Sequence, residues 1–116
     1  MLRRSYRLRR RSDFARLHRA GQRVRVSGLN IKYHRNHLGY NRVAVVISTK
    51  TAKRAVVRNR CRRRVMAAFR ELWSHLQPGF DIAVTVHQEA IDLSQPQLRT
   101  RLIQALHQAD ILGADD

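Results

Sequence analysis

Apolar residues recur along this chain with two periods, of three to four and of two, and the switches between them divide it into seven elements. Ser12 reads as a helix N-cap with Asp13 in the first turn, and Gly21 as the helix stop. Phe14, Leu17 and His18 share one face of that short helix at i, i+3, i+4 spacing. Leu29, Ile31 and Tyr33 then alternate with Asn30 and Lys32, as in a half-buried strand. Their shared phase assigns Tyr33 to the core. Val24 and Val26 alternate in the opposite phase, so Ser27-Gly28 is expected to be a bulge or break separating two short strands. Residues 37–41 are expected to loop around Gly39. Residues 43–47 are apolar on both faces, which predicts a central strand.

The longest periodic stretch is a helix over residues 55–76. Val57, Cys61, Val65, Phe69, Leu72 and Leu76 form its apolar stripe, and Pro78-Gly79 ends it. A strand is expected over 82–86. Ser94 and Gln97 then match a capping box that opens a last helix burying Leu98, Leu102, Leu106 and Ala109, with Gly113 as its stop. The order αβββαβα in one short chain predicts an α+β fold, a single two-layer α/β sandwich with helices packed on a four-stranded sheet. The strand–long helix–strand unit implies a parallel pair, whose crossover would by the general rule be right-handed. The domain reading is a basic arm over 1–11, partly ordered, one domain over 12–112, and an acidic tail over 113–116.

Composition narrows the class. At 116 residues and 43% hydrophobic content the chain supports one modest core. Every apolar run is far short of the roughly 18 residues of a membrane span. The single cysteine, Cys61, cannot close an internal disulfide, and its place on the apolar stripe makes it a packing residue. No metal-ligand spacing, glycine-rich phosphate loop or nucleophile elbow is present, and Asp81 and Glu89 are isolated carboxylates, expected to be structural or solvated rather than acid/base groups.

Charge changes the picture most. The 24 bases comprise 21 Arg and only 3 Lys. Residues 1–70 hold 22 of them against the single acid Asp13, a net of +21, whereas residues 71–116 net −5. Charge this lopsided repels itself unless a polyanion neutralises it, and nucleic acid is the leading candidate. Arginine rather than lysine favours bidentate phosphate contacts and stacking on bases. The density peaks on the long helix, where Arg54, Arg58 and Arg62 recur at steps of four and Arg60, Arg63 and Arg64 fill out the basic side. Six arginines in residues 54–64, unpaired with acids, make a solvated decorative face a poor explanation. Asn59 among them offers both a donor and an acceptor.

The segment Ala55-Val56-Val57-Arg58-Asn59-Arg60-Cys61-Arg62-Arg63 resembles the "RNR" signature of the bacterial ribonuclease P protein family. Tyr6-Arg-Leu-Arg-Arg-Arg-Ser-Asp13-Phe14 is similar to that family's N-terminal entry, and the likeness extends over about residues 6–112. The resemblance implies a ribosomal-protein-S5-domain-2-like fold with a left-handed βαβ crossover. It also implies a protein subunit that binds a large catalytic RNA and helps remove the 5′ leader of precursor tRNA, one protein to one RNA, in the cytoplasm and away from membranes. Hydrolysis would belong to the RNA and its Mg²⁺ ions. By the same resemblance Arg54, Arg58, Asn59, Arg60, Arg62 and Arg63 would meet the RNA subunit. Arg9, Arg10, Arg11, Phe14, His18, Lys32 and Lys50 would line a cleft for the leader, between the first helix and the sheet. Here His18 and Lys32 stand where the family often has aromatics, which shifts leader contact from stacking towards charge. Met66-Ala67 stands where an Arg-Glu-like pair is common. The rival readings are a ribosomal or other structural RNA-binding protein, and a stand-alone nuclease. The nuclease would need a cluster of carboxylates or histidines that residues 1–70 lack.

Overall fold

Every expected element forms, in the expected order. The computed structural model describes residues 3–113. Helix α1 spans Arg11–Ala20, β1 Gln22–Val26, β2 Leu29–Arg35, β3 Arg42–Val46, α2 Ala55–Leu72, β4 Phe80–Val86 and α3 Gln95–Gln108. Single 3-10 turns lie at Arg4–Tyr6, Trp73–His75 and Gln88–Ala90. The sheet runs β1-β2-β4-β3, with β3 and β4 parallel and the other two pairs antiparallel.

The expected break at Ser27-Gly28 does separate two short strands, and the opposite phases of Val24/Val26 and Leu29/Ile31 come from a tight hairpin there, not a bulge. Val24 pairs with Ile31 and Val26 with Leu29, so all four side chains share one face across the two-residue turn Ser27-Gly28. Gly28 sits at φ +82°, and a Cβ there would lie 2.6 Å from the Ala90 Cβ. The turn therefore admits no larger residue without rearrangement.

The centre of the sheet is β4, all of it buried except half-buried Thr85. Strand β3 is at the edge, contrary to the expectation from its apolar composition, and Val46 is 41% exposed. The reason lies in the N-terminal segment. Arg7 bridges to Val43, the Leu8 N–H donates to the Val43 carbonyl at 2.9 Å, and Leu8 is buried. The arm thus covers the exposed edge, a known device against edge pairing. Residues 1–2 and 114–116, the start of the expected arm and most of the expected acidic tail, lie outside the described residues.

Local signals placed the element ends less well. The N-cap of α1 is Arg10, not Ser12. Helix α2 stops at Leu72 and gives way to a 3-10 turn, although Leu76 remains buried. The capping box of Ser94 and Gln97 forms in full, but α3 ends at Gln108, and the chain reverses at Asp110 (φ 59°), short of Gly113.

One face of the sheet carries the main core. Val26, Leu29, Ile31, Val43, Ile82, Val84 and Val86 pack with the α2 stripe from Cys61 to Leu72 and with Leu98, Leu102 and Leu106 of α3. Tyr33 packs at its margin, edge-on to Phe80 at 6.2 Å. Helix α1 lies on the other face, where Leu17, Leu8 and Ala83 form a second cluster with Phe14 and Ala44. The sheet and the α2–α3 layer form the expected sandwich, and α1 covers part of the remaining face.

Candidate nucleic-acid interface

Strand alternation determines what the α1 face presents. Its rows follow from the register: Arg23, Lys32, Ala83 and Ala44 in one, and Arg25, Asn30, Thr85 and Val46 in the next. The two alanines leave room for α1 to sit close, through Leu17 and Phe14. The row of Asn30, Thr85 and Val46 stays uncovered beside it. From α1, Phe14 is half-buried, whereas exposed His18 accepts at Nδ1 from the Lys32 ammonium at 2.9 Å. His18 and Lys32 therefore meet on the face where Phe14 packs, beside the uncovered row of Asn30, Thr85 and Val46, which forms a trough along α1.

The other leader candidates lie further off. Arg9, Arg10 and Arg11 are exposed at the N-terminal end of α1. Lys50 is exposed beyond the end of β3, where with Arg25, Ser27, Thr51 and His87 it lines a recess of about 610 Å³. The candidates are strung along a path rather than gathered in one pocket. Arg23, Arg25, Asn30 and Thr85 belong to that path and were not singled out in the sequence. Reading Ser27-Gly28 as a hairpin turn would have placed both arginines on the Lys32 face.

A buried ionic hub holds this face in shape. Arg42 donates from Nε and Nη2 to both oxygens of Asp81 at 2.8 and 2.7 Å, and from Nη1 to Asp13 at 3.1 Å. Asp13 and Asp81 are 6% and 4% exposed. Hydrogen bonding to Asp81 is the main influence raising the Arg42 pKa further, against the opposing effect of burial. Asp81 also accepts from the Asn36 amide at 2.9 Å. Helix α1, the loop before β3 and the central strand are thereby tied at one point. Asp81 is thus a structural carboxylate rather than an acid/base candidate, although it is not isolated.

The second basic surface is on α2, across the sheet from α1. Its arginines are not one uniform stripe. Arg58 turns back and donates to the Ala52 and Lys53 carbonyls, both at 2.8 Å, fixing the loop that enters the helix. Arg64 donates to the Leu93 carbonyl at 2.9 Å. Arg62 donates to Asn59 Oδ1 at 2.8 Å. Arg60 lies 3.6 Å from Asp92, so the expectation of arginines unpaired with acids fails there, although both groups are well exposed and the pair is worth little. Arg54 and Arg63 are exposed, Arg54 as the N-cap residue. Arg62, Arg63, Asn59 and Arg70 line a groove of about 460 Å³ with Arg7 of the arm, floored by Met66 and Ala67. Buried Cys61 faces the core, and desolvation pushes its thiol pKa up, in keeping with a packing role.

Among the described residues no three His, Cys, Asp or Glu side chains are grouped to hold a metal ion. No helix among them is long and apolar enough to cross a membrane.

Comparison with known proteins bears on the family and the fold. The sequence model of the Ribonuclease P family matches residues 2–110. The chain is 39% identical over 113 residues to a Ribonuclease P protein component from a Pseudanabaena species, covering 97% of each. It is 35% identical over 128 residues to one from a Cyanothece species, covering 97% of this chain and 98% of the other. The fold is similar to that of the RNase P protein of Staphylococcus aureus, with a TM-score of 0.85 at 27% identity, over 93% of this chain and 98% of that one. It is similar too to the RNase P protein of Thermotoga maritima, with a TM-score of 0.81 at 25% identity, over 88% and 96%.

Proposed function

The chain belongs to the ribonuclease P family, and from that premise we propose how it divides its basic surface between two RNAs. It is a protein component of ribonuclease P and takes part in tRNA processing. In our reading the α2 surface, with Arg54, Asn59, Arg60, Arg62 and Arg63, grips the catalytic RNA subunit. Arg58 contributes by fixing the loop from which the helix starts. The trough beside α1 receives the 5′ leader of precursor tRNA. Phe14 offers a ring for a base, His18, Lys32 and Arg23 meet phosphates along the strand, and Lys50 with Arg25 extends the path. Arg9, Arg10 and Arg11 continue it past the other end of α1.

The observation that carries this reading is the separation of two arginine-rich surfaces on opposite faces of one sheet. One protein can then touch two RNAs at once. The carboxylates among the described residues do not fit a Mg²⁺ centre: Asp13 and Asp81 are both committed to Arg42, and Glu71, Glu89, Asp92 and Asp110 are exposed and dispersed. We therefore assign Mg²⁺ and the hydrolytic step to the RNA, in a cytoplasmic complex of one protein and one RNA. The experiment is cleavage of precursor tRNA in Mg²⁺ buffer. Protein alone should leave the precursor intact, and protein with its RNA subunit should release the leader and leave a 5′-phosphate on the tRNA. Robust cleavage by RNA-free protein would overturn the assignment.

A further inference from the structure

The loop between β2 and β3 presents apolar groups to solvent on a rigid frame. Leu38 and Tyr40 are 43% and 36% exposed. The backbone around them is not loose. Asn36 Nδ2 donates to the Tyr40 carbonyl at 3.1 Å and to Asp81 at 2.9 Å, and Asn36 Oδ1 accepts from the Leu38 N–H at 2.9 Å. The loop is thus anchored to the buried hub around Arg42, and His37 adopts a left-handed φ of 62° within it. Tyr40 stands at one end of a ring ladder. Its ring is 5.6 Å from that of Tyr6, which is 5.2 Å from that of Trp73.

The chain links the ladder to the α2 groove at two points. Arg7 follows Tyr6 in the chain, Arg70 precedes Trp73 by one helical turn, and both arginines line the groove with Arg62 and Arg63. No acid lines it. Glu71, the one acid of α2, is held towards α3, accepting from Gln95 at 2.7 Å and lying 3.6 Å from Arg99.

We propose that the Tyr40–Tyr6–Trp73 ladder is a base-stacking platform that extends the α2 interface and takes an unpaired nucleobase of the RNA subunit onto the Tyr40 ring. Aromatic rings beside a row of guanidiniums are the combination by which proteins hold unpaired nucleotides, the rings meeting bases and the cations meeting phosphates. A purely apolar partner would gain nothing from the groove's cations. This proposal rests on the reading that α2 meets the RNA subunit, and the test separates the two.

The test measures affinity for the RNA subunit at fixed salt with Tyr40→Phe, Tyr40→Leu and the pair Arg62→Ala/Arg63→Ala, each checked by thermal melting. Stacking predicts that Tyr40→Phe binds like the parent while Tyr40→Leu loses about 5- to 100-fold. If the ladder only clamps the arm to the sheet edge, leucine fills the space and affinity is unchanged, which overturns the proposal. Equal losses in Phe and Leu overturn it too, since the hydroxyl rather than the ring would then be responsible. Loss in the arginine pair with none in Tyr40→Leu removes the platform and leaves the α2 interface standing, whereas no loss in either removes both. Ultraviolet cross-linking of the unmutated complex gives a reading independent of variant stability. A nucleotide adduct is expected on Tyr40, and adducts confined to other residues would contradict the platform.

Discussion

The two basic surfaces hold their arginines in opposite ways. On the trough side the organising cation, Arg42, is neutralised twice over by the buried carboxylates of Asp13 and Asp81. On α2, apart from the exposed Arg60–Asp92 pair, the positioned arginines lean on uncharged oxygens instead: Arg58 on two carbonyls, Arg62 on the Asn59 amide, Arg64 on the Leu93 carbonyl. Neutral acceptors orient a guanidinium without cancelling its charge. The hub therefore spends its cation on shape, and α2 keeps most of its charge for a polyanion. An arginine's partner, more than its spacing, tells whether it belongs to the fold or to the interface.

The sharpest way to break this comparison is to remove one arginine from each side. Arg42→Ala would leave buried Asp81 without its counter-ion and Asp13 with only the longer 3.8 Å contact to exposed Arg16, and should cost about 3–5 kcal/mol of stability. Arg63→Ala, on the exposed side of α2, should cost less than about 0.5 kcal/mol. Urea denaturation of the two variants measures both, and similar losses would erase the distinction.

Affinity comes next in size. Replacing Arg62 and Arg63 together should flatten the salt dependence of RNA-subunit binding by about 0.7–0.9 log unit per lost phosphate contact. The same plot for Arg42→Ala, at a temperature where it stays folded, should keep the parent slope. Arg58 is the wrong residue for this test, because its loss would also release the loop at Ala52 and Lys53.

The smallest effect concerns the acidic half, whose role is that of a scaffold. Ser94→Ala removes the cap of α3 and should cost about 1 kcal/mol in thermal or urea unfolding. RNA-subunit affinity and its salt slope should not change. A changed slope would place α3 in the interface.

How far the sequence carried depends on the range of each signal. The α3 capping box and the α2 stripe were legible because both are set within a few residues. The edge position of β3 was not, since its cover comes from Arg7 and Leu8, which no local pattern links to Val43. The hub joins Asp13, Arg42 and Asp81 across separations of 29 and 39 residues, and such pairings leave no periodic trace. Arg58 looked like its neighbours by spacing, and only the fold of the preceding loop shows its different role. Arg23 and Arg25 were within reach once the phase of Val24 and Val26 was understood as a hairpin. The division of labour between trough and helix came from family resemblance, which charge counting alone would not have supplied.

The central claim is that the two surfaces serve different RNAs. Its most direct test is the affinity of assembled complexes for precursor tRNA with and without a leader, at matched salt, comparing Phe14→Ala with Arg62→Ala/Arg63→Ala. Phe14→Ala should weaken binding of the leader-bearing precursor by about 1–3 kcal/mol and leave the leaderless tRNA unchanged. The arginine pair should require more protein for assembly yet preserve the leader preference once assembled. If Phe14→Ala lowers both affinities equally, or the arginine pair abolishes leader preference alone, the surfaces are not divided in this way.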